Sequence, residues 1–143
     1  MLANQSTLLF PNYASDPTSF PDAASTALMA STVYRLALLR DVWHWLPEAE
    51  KVRGELFGSG QGDGNGNGHF DSNGWLQPVV NPNAYTQQGS QSPEAQAFVL
   101  ELQAAWGDWD AAGRRGENGA LGGRFGTIIS PSLLIMGMWK FEN

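Results

Sequence analysis

The residues most suggestive of metal chemistry lie in the stretch "GDGNGNGHFDSNGW", at positions 62–75. Counted from Asp63, oxygen-bearing side chains occupy positions 1, 3 and 5 and glycine occupies position 6, as in an EF-hand calcium loop. The pattern then fails, because position 12 is Gly74 where such a loop needs a bidentate glutamate. The sequence therefore favours a surface loop of turn-forming residues over a calcium site, and it predicts no metal.

Two carboxylates, Asp22 and Glu94, are the pair that could do acid–base chemistry together. Each stands at the start of a predicted helix, where a structural role competes with a chemical one. Asp22 and Ser92 have the side chains preferred at helix N-caps, and a glutamate in the first turn interacts favourably with the helix dipole. The capping interpretation is favoured for Asp22 and Ser92, while the distance between the two carboxylates is open.

His69 and Trp75 combine a titratable ring with an aromatic face in one short segment. An imidazole can transfer protons near neutral pH, and an indole face can pack against a sugar ring. Both residues also have ordinary alternatives, since a loop histidine is usually a hydrogen-bonding group and a tryptophan is a large core residue. The residue types alone leave both roles open.

Composition excludes several classes of partner. The chain has 143 residues, a net charge of −6 and only 8 lysines and arginines, which form no basic stripe. Nucleic-acid binding needs clustered positive charge, so no nucleic-acid partner is expected. The longest apolar run, "LLIMGMW", is too short to span a membrane, and the start "MLANQSTLLF" lacks the features of a signal peptide. With no cysteine, disulfides and zinc–thiolate sites are excluded.

Hydrophobic periodicity and capping signals predict three helices in an all-α fold. They cover residues 23–39, 47–57 and 93–110, and the first two form an αα-hairpin. Residues 1–21 and 69–91 contain several prolines and show no helical period, so we expect them to be irregular. In the tail, a short strand near 127–129 is an option.

Three stretches together resemble the later part of fungal proteins of the six-hairpin glycosidase superfamily, which includes unsaturated glucuronyl and rhamnogalacturonyl hydrolases. They are "LLFPNYASDPTSFPDAASTALMASTVYRLALL", "LPEAEKVRGELF" and "HFDSNGWLQPVVNPNAYTQQGSQSPEAQAFVLELQAAWGDW". The resemblance implies a partial α/α toroid over residues 1–110, with helical hairpins joined by long irregular loops. Residues 111–143 form a separate Gly-rich and apolar tail of uncertain structure.

The resemblance also implies a function. It points to pectin- or glycosaminoglycan-derived oligosaccharides, to hydration of a vinyl ether by an aspartate acid/base, to an extracellular location, and to no cofactor. The family positions that face the substrate cleft correspond here to Asp22, Ser25, Thr26, His69, Trp75, Glu94 and Gln96.

Two departures from the family pattern bear on activity. A complete toroid needs far more chain than 143 residues, and the family's Trp-x-Arg-Gly motif with its catalytic aspartate is absent from this sequence. The catalytic residue is therefore unknown.

Two hypotheses follow, an incomplete hydrolase-like chain and a non-catalytic chain that is truncated or binds carbohydrate, and the missing motif favours the second. An intron read-through or a shifted frame would account for the tail at 111–143. Separately, we expect exposed apolar patches on the helices.

Overall fold

The computed structural model describes residues 8–58 and 68–117. This part of the chain contains three helices and two antiparallel β-hairpins. In chain order the elements are β1 (Phe10–Tyr13), β2 (Asp16–Asp22), α1 (Ala23–Arg40), α2 (Leu46–Leu56), β3 (Val79–Asn81), β4 (Ala84–Gly89) and α3 (Pro93–Ala111). The protein is a small mixed α/β domain, so the predictions of an all-α fold and of a partial α/α toroid were wrong.

The three helices begin and end close to the predicted positions because local signals set their boundaries. The carboxylate of Asp22 accepts hydrogen bonds from the backbone amides of Ala24 and Ser25 at the start of α1. At the start of α3, the hydroxyl of Ser92 accepts from the amide of Ala95 at 3.1 Å. These bonds satisfy donors that have no partner inside the helix, and they confirm both predicted caps.

Helices α1 and α3 run side by side in the same direction. Their starts both bond to one segment, where the amide of Ala23 donates to the carbonyl of Pro78 at 2.8 Å and the amide of Leu76 donates to the Gln96 side chain at 3.1 Å. Further along, the ring of Tyr34 lies 5.3 Å from that of Trp109. Small buried residues on both helices permit close approach of the backbones; they are Ala23, Ala27, Ala30, Ala37, Ala95 and Ala105.

The first hairpin was missed because prolines usually argue against strands. Strand β1 pairs with β2 through the registers Phe10↔Asp22, Pro11↔Pro21 and Tyr13↔Asp16. Each strand has only one partner in the described structure, so a proline that cannot donate leaves a single ladder position unfilled. A strand with a single partner can therefore contain prolines, whereas a central strand that pairs on both sides usually cannot.

The second hairpin carried a signal that the prolines obscured. Val79 and Val80 pair with Gly89 and Gln88, and a two-residue turn of Pro82–Asn83 joins the strands. β-branched residues on both sides of a short turn are typical of a hairpin. The two hairpins, one before α1 and one between α2 and α3, occupy segments that were expected to be irregular, and this is the physical reason why the toroid prediction fails. The predicted strand at 127–129 lies outside the described residues.

A buried phenol at the centre of the helices gives a pH-dependent prediction. Tyr34 is fully buried and donates a hydrogen bond to the carboxylate of Glu50. Burial, followed by that hydrogen bond, raises the pKa of Tyr34 above its ordinary value of 10.0. The folded state keeps the proton that the unfolded chain loses, so this stabilisation is fully present below about pH 10 and is lost as pH rises further.

We therefore expect the free energy of unfolding to fall as pH rises from about 10 to 11 and to fall less steeply in Tyr34→Phe. Urea titrations followed by circular dichroism at each pH measure the slope. Tyr85→Phe is the matched control, since the Tyr85 side chain is exposed. Equal slopes for the two variants would contradict the assignment.

Candidate functional site

Three of the predicted cleft residues form a closed hydrogen-bond cluster at the start of α1. Asp22 is only 5% exposed, and both of its carboxylate oxygens accept from backbone amides of α1. The hydroxyls of Ser25 and Thr26 donate to the backbone carbonyl of Asp22 at 3.2 and 2.6 Å, and that of Thr26 also accepts from the amide of Phe10 at 2.9 Å. The cluster ties β1 to α1, and it leaves no oxygen of Asp22 without a hydrogen bond.

Two further candidates, Gln96 and Trp75, are brought together at the start of α3. The Gln96 amide accepts from the backbone of Leu76 at 3.1 Å and donates to the carbonyl of Gly74 at 2.9 Å. It therefore fixes the segment that carries the half-buried Trp75. Glu94 lies nearby on the exposed side of α3 and accepts a hydrogen bond from the Ser92 hydroxyl at 3.1 Å.

His69 lies apart from these residues, against the end of α2. Its backbone amide donates to the carbonyl of Leu56 at 3.0 Å, and its carbonyl accepts from the amide of Gln77 at 2.7 Å. Its ring nitrogen Nε2 lies 3.6 Å from a carboxylate oxygen of Glu55, beyond hydrogen-bond distance. Glu55 was not a sequence candidate, although a glutamate on the same stripe as Val52 and Leu56 is an unusual choice for a buried helix face.

The structure thus gathers most of the predicted residues at one end of the molecule but uses their polar atoms internally. Asp22 and Gln96 belong to two helix starts that bond to the common segment at 76–78. Among residues 8–58 and 68–117, no group of three or more His, Cys, Asp or Glu side chains is placed to hold a metal ion. The carboxylate of Asp71 caps its own turn by accepting from the amides of Asn73 and Trp75, and Asp63 lies outside the described residues.

A surface that the sequence did not reveal lies on the two hairpins at this same end. Tyr13 is 41% exposed and Tyr85 is 68% exposed. The side-chain amide of Asn12 donates to the backbone carbonyl of Tyr85 at 2.7 Å, so the hairpins lie side by side. Tyr13 is the neighbour of Asn12 in the chain, so its backbone is separated from that of Tyr85 by one residue step, the Asn12 side chain and one hydrogen bond. The two tyrosine backbones therefore lie within roughly 10 Å of each other. We call six of the exposed residues here the hairpin surface; they are Tyr13, Asp16, Tyr85, Thr86, Gln87 and Gln88.

The hairpin surface is polar and carries a single charge. Asp16 is its only ionisable group besides the two phenols. The hydroxyl and then the backbone amide of Thr18 donate to the Asp16 carboxylate, at 2.6 and 2.9 Å, and they lower the pKa of Asp16 below its ordinary value. The carboxylate is therefore negative at neutral pH, while the amides of Gln87 and Gln88 offer uncharged donors and acceptors.

None of the described helices is long and apolar enough to cross a membrane. Comparison with family models, with curated proteins and with solved structures finds no match for this chain.

Proposed function

We propose that this domain is a non-catalytic carbohydrate-binding module whose hairpin surface takes an oligosaccharide. The observation that carries the proposal is the pair of exposed tyrosines on adjacent hairpins, held together by the Asn12 hydrogen bond. A sugar presents an apolar C–H face and a rim of hydroxyls. Tyrosine offers a rigid apolar ring with a polar tip, and neighbouring amides can pair with hydroxyls. The hairpin surface supplies both kinds of group.

The fate of Asp22, one of the two acid–base candidates, supports binding over hydrolysis, whereas the other, Glu94, is exposed at the start of α3. The carboxylate of Asp22 is committed to the helix cap, and the amide of Gln96 is committed to the backbone at 74–76. A general acid must be within reach of the proton it transfers in a bound substrate, and a buried, fully bonded carboxylate does not meet this condition. The resemblance to six-hairpin glycosidases supplies the ligand class, pectin- or glycosaminoglycan-derived oligosaccharides, and an extracellular location would suit such a ligand.

The test is a titration with a panel of oligosaccharides, followed by amide chemical shifts of the labelled protein. We expect shifts confined to the two hairpins, at 10–22 and 79–89. Each ring contact contributes on the order of 1 kcal/mol, so Tyr13→Ala combined with Tyr85→Ala should weaken binding by about 10- to 30-fold. Trp45→Ala is the matched control, because Trp45 is 48% exposed but lies beyond the opposite end of α1. Loss of binding in the Trp45 variant alone would contradict the placement of the site.

Catalysis is examined separately with unsaturated digalacturonate, whose double bond absorbs in the ultraviolet. We expect no loss of absorbance over the background rate. Turnover that disappears in Asp22→Asn would overturn the non-catalytic proposal, because that substitution removes an acid and retains a capping side chain.

A further inference from the structure

The hairpin surface is built from parts of the chain that contain no positive charge. Residues 8–34 and 70–113 include no lysine and no arginine. The nearest cations in the sequence are Arg35, on the second half of α1 and about 18 Å of helix rise from Ala23, and Arg114, beyond the end of α3. Recognition of a carboxylate usually relies on a charge-assisted bond from arginine or lysine, and among residues 8–58 and 68–117 neither lies beside Tyr13 or Tyr85.

The helix starts next to the hairpins do not supply the missing positive charge. The first turns of α1 and α3 carry partial positive charge that attracts anions. At α1 this charge already meets the carboxylate of Asp22, and at α3 it meets Glu94 in the first turn. A sugar carboxylate would therefore compete with side chains that are covalently fixed in place.

The carboxylate of Asp16 is the one charge on the hairpin surface, and it repels an anionic ligand directly. Asp16 is the cross-strand partner of Tyr13, so its carboxylate lies beside one of the two rings proposed to contact the sugar. Its hydrogen bonds from Thr18 stabilise the charged form. The net charge of −6 over the chain acts in the same direction at longer range.

We infer that the hairpin surface selects uncharged oligosaccharides over oligosaccharides that carry free uronate groups. This specificity rests on the proposed carbohydrate-binding function and narrows its ligand class. Within pectin, the matching ligand is a methyl-esterified stretch, which keeps the sugar skeleton and loses the charge. The rings of Tyr13 and Tyr85 would contact its apolar faces, and the side-chain amide of Gln87, two residues along β4 from Tyr85, would exchange hydrogen bonds with its hydroxyls.

The experiment compares oligogalacturonate with its fully methyl-esterified form by titration calorimetry at low salt. We expect the ester to bind at least threefold more tightly and the difference to shrink in 0.5 M salt, since exposed charges are screened. Asp16→Asn should raise the affinity for the free acid by about two- to threefold and leave the ester unchanged, the size expected for one charge at about 8 Å in water. Glu101→Gln, which removes an exposed charge from α3, is the matched control and should change neither the affinity for the acid nor the affinity for the ester.

The outcomes separate the inference from the function on which it rests. If the free acid binds at the hairpins as tightly as the ester, or if Asp16→Asn has no effect on the acid, the charge selection is overturned and carbohydrate binding stands. If neither these ligands nor any neutral oligosaccharide shifts the hairpin amides, the proposed function is overturned and the inference with it.

Discussion

Replacing Trp109 with alanine is expected to lower the free energy of unfolding by about 3–5 kcal/mol. The side chain is fully buried, and its ring contacts that of Tyr34 at 5.3 Å. Its indole nitrogen donates to the carbonyl of Arg115 at 2.9 Å, so the substitution both opens a cavity and leaves an acceptor unpaired. Because small domains are stable by about 5–15 kcal/mol, the variant should approach the threshold of unfolding.

The measurement is a urea titration followed by tryptophan fluorescence and circular dichroism. Trp45→Ala removes the same side chain from an exposed position and should cost no more than about 0.5 kcal/mol. A comparable loss in both variants would mean that the packing of α1 against α3 does not carry the stability assigned to it.

The second large effect is expected at Gly68, where the backbone leaves no room for a side chain. Gly68 has a φ of +62°, and a Cβ atom there would lie within 2.8 Å of the carbonyl carbon of Leu56 and closer still to the amide of Gly58. These are backbone atoms, so Gly68→Ala must displace the end of α2 together with the bond from His69 to Leu56. We expect the free energy of unfolding to fall by about 2–4 kcal/mol, which is more than the roughly 1 kcal/mol that a positive φ alone costs a residue with a side chain.

Gly74 provides the matched comparison for this prediction. Its φ is +82°, but a Cβ atom would meet nothing within 4 Å. Gly74→Ala should therefore lower the free energy of unfolding only by the cost of the positive φ, on the order of 1 kcal/mol. Thermal melts of both variants separate the steric part from the conformational part, and similar melting temperatures would show that the contact with α2 is not rigid.

The helices could be predicted from sequence because their signals are local. Asp22 and Ser92 each act within three residues of their position, and helix starts depend on such short contacts. The hairpins could not be predicted in the same way, since their strands are short, β1 and β2 contain prolines that usually oppose pairing, and prolines flank β3. The two-residue turn at Pro82–Asn83 was the available signal, and it was outweighed by the prolines around it.

The candidate site was only partly within reach of sequence reasoning. The predicted residues at the starts of α1 and α3 do lie at one end of the molecule, and the caps by Asp22 and Ser92 were predictable, but the sequence did not show that Gln96 bonds to the backbone at 74–76. The hairpin surface depends on a hydrogen bond between Asn12 and Tyr85, which are 73 residues apart. No periodicity or motif reports a contact of that kind, and exposure of a tyrosine is visible only once the fold is known.

The pairing of α1 with α3 has a consequence for synthesis of the protein on the ribosome. α1 ends at Arg40, whereas its main partner α3 ends at Ala111. At about 5–20 residues per second, translation of the intervening chain takes roughly 4–14 s. During this interval the alanine-rich face of α1 has no partner, and nascent-chain binding by chaperones should be greatest in that window. Synonymous codons that slow translation between the two helices would lengthen the exposure and lower the yield of folded protein without changing any residue.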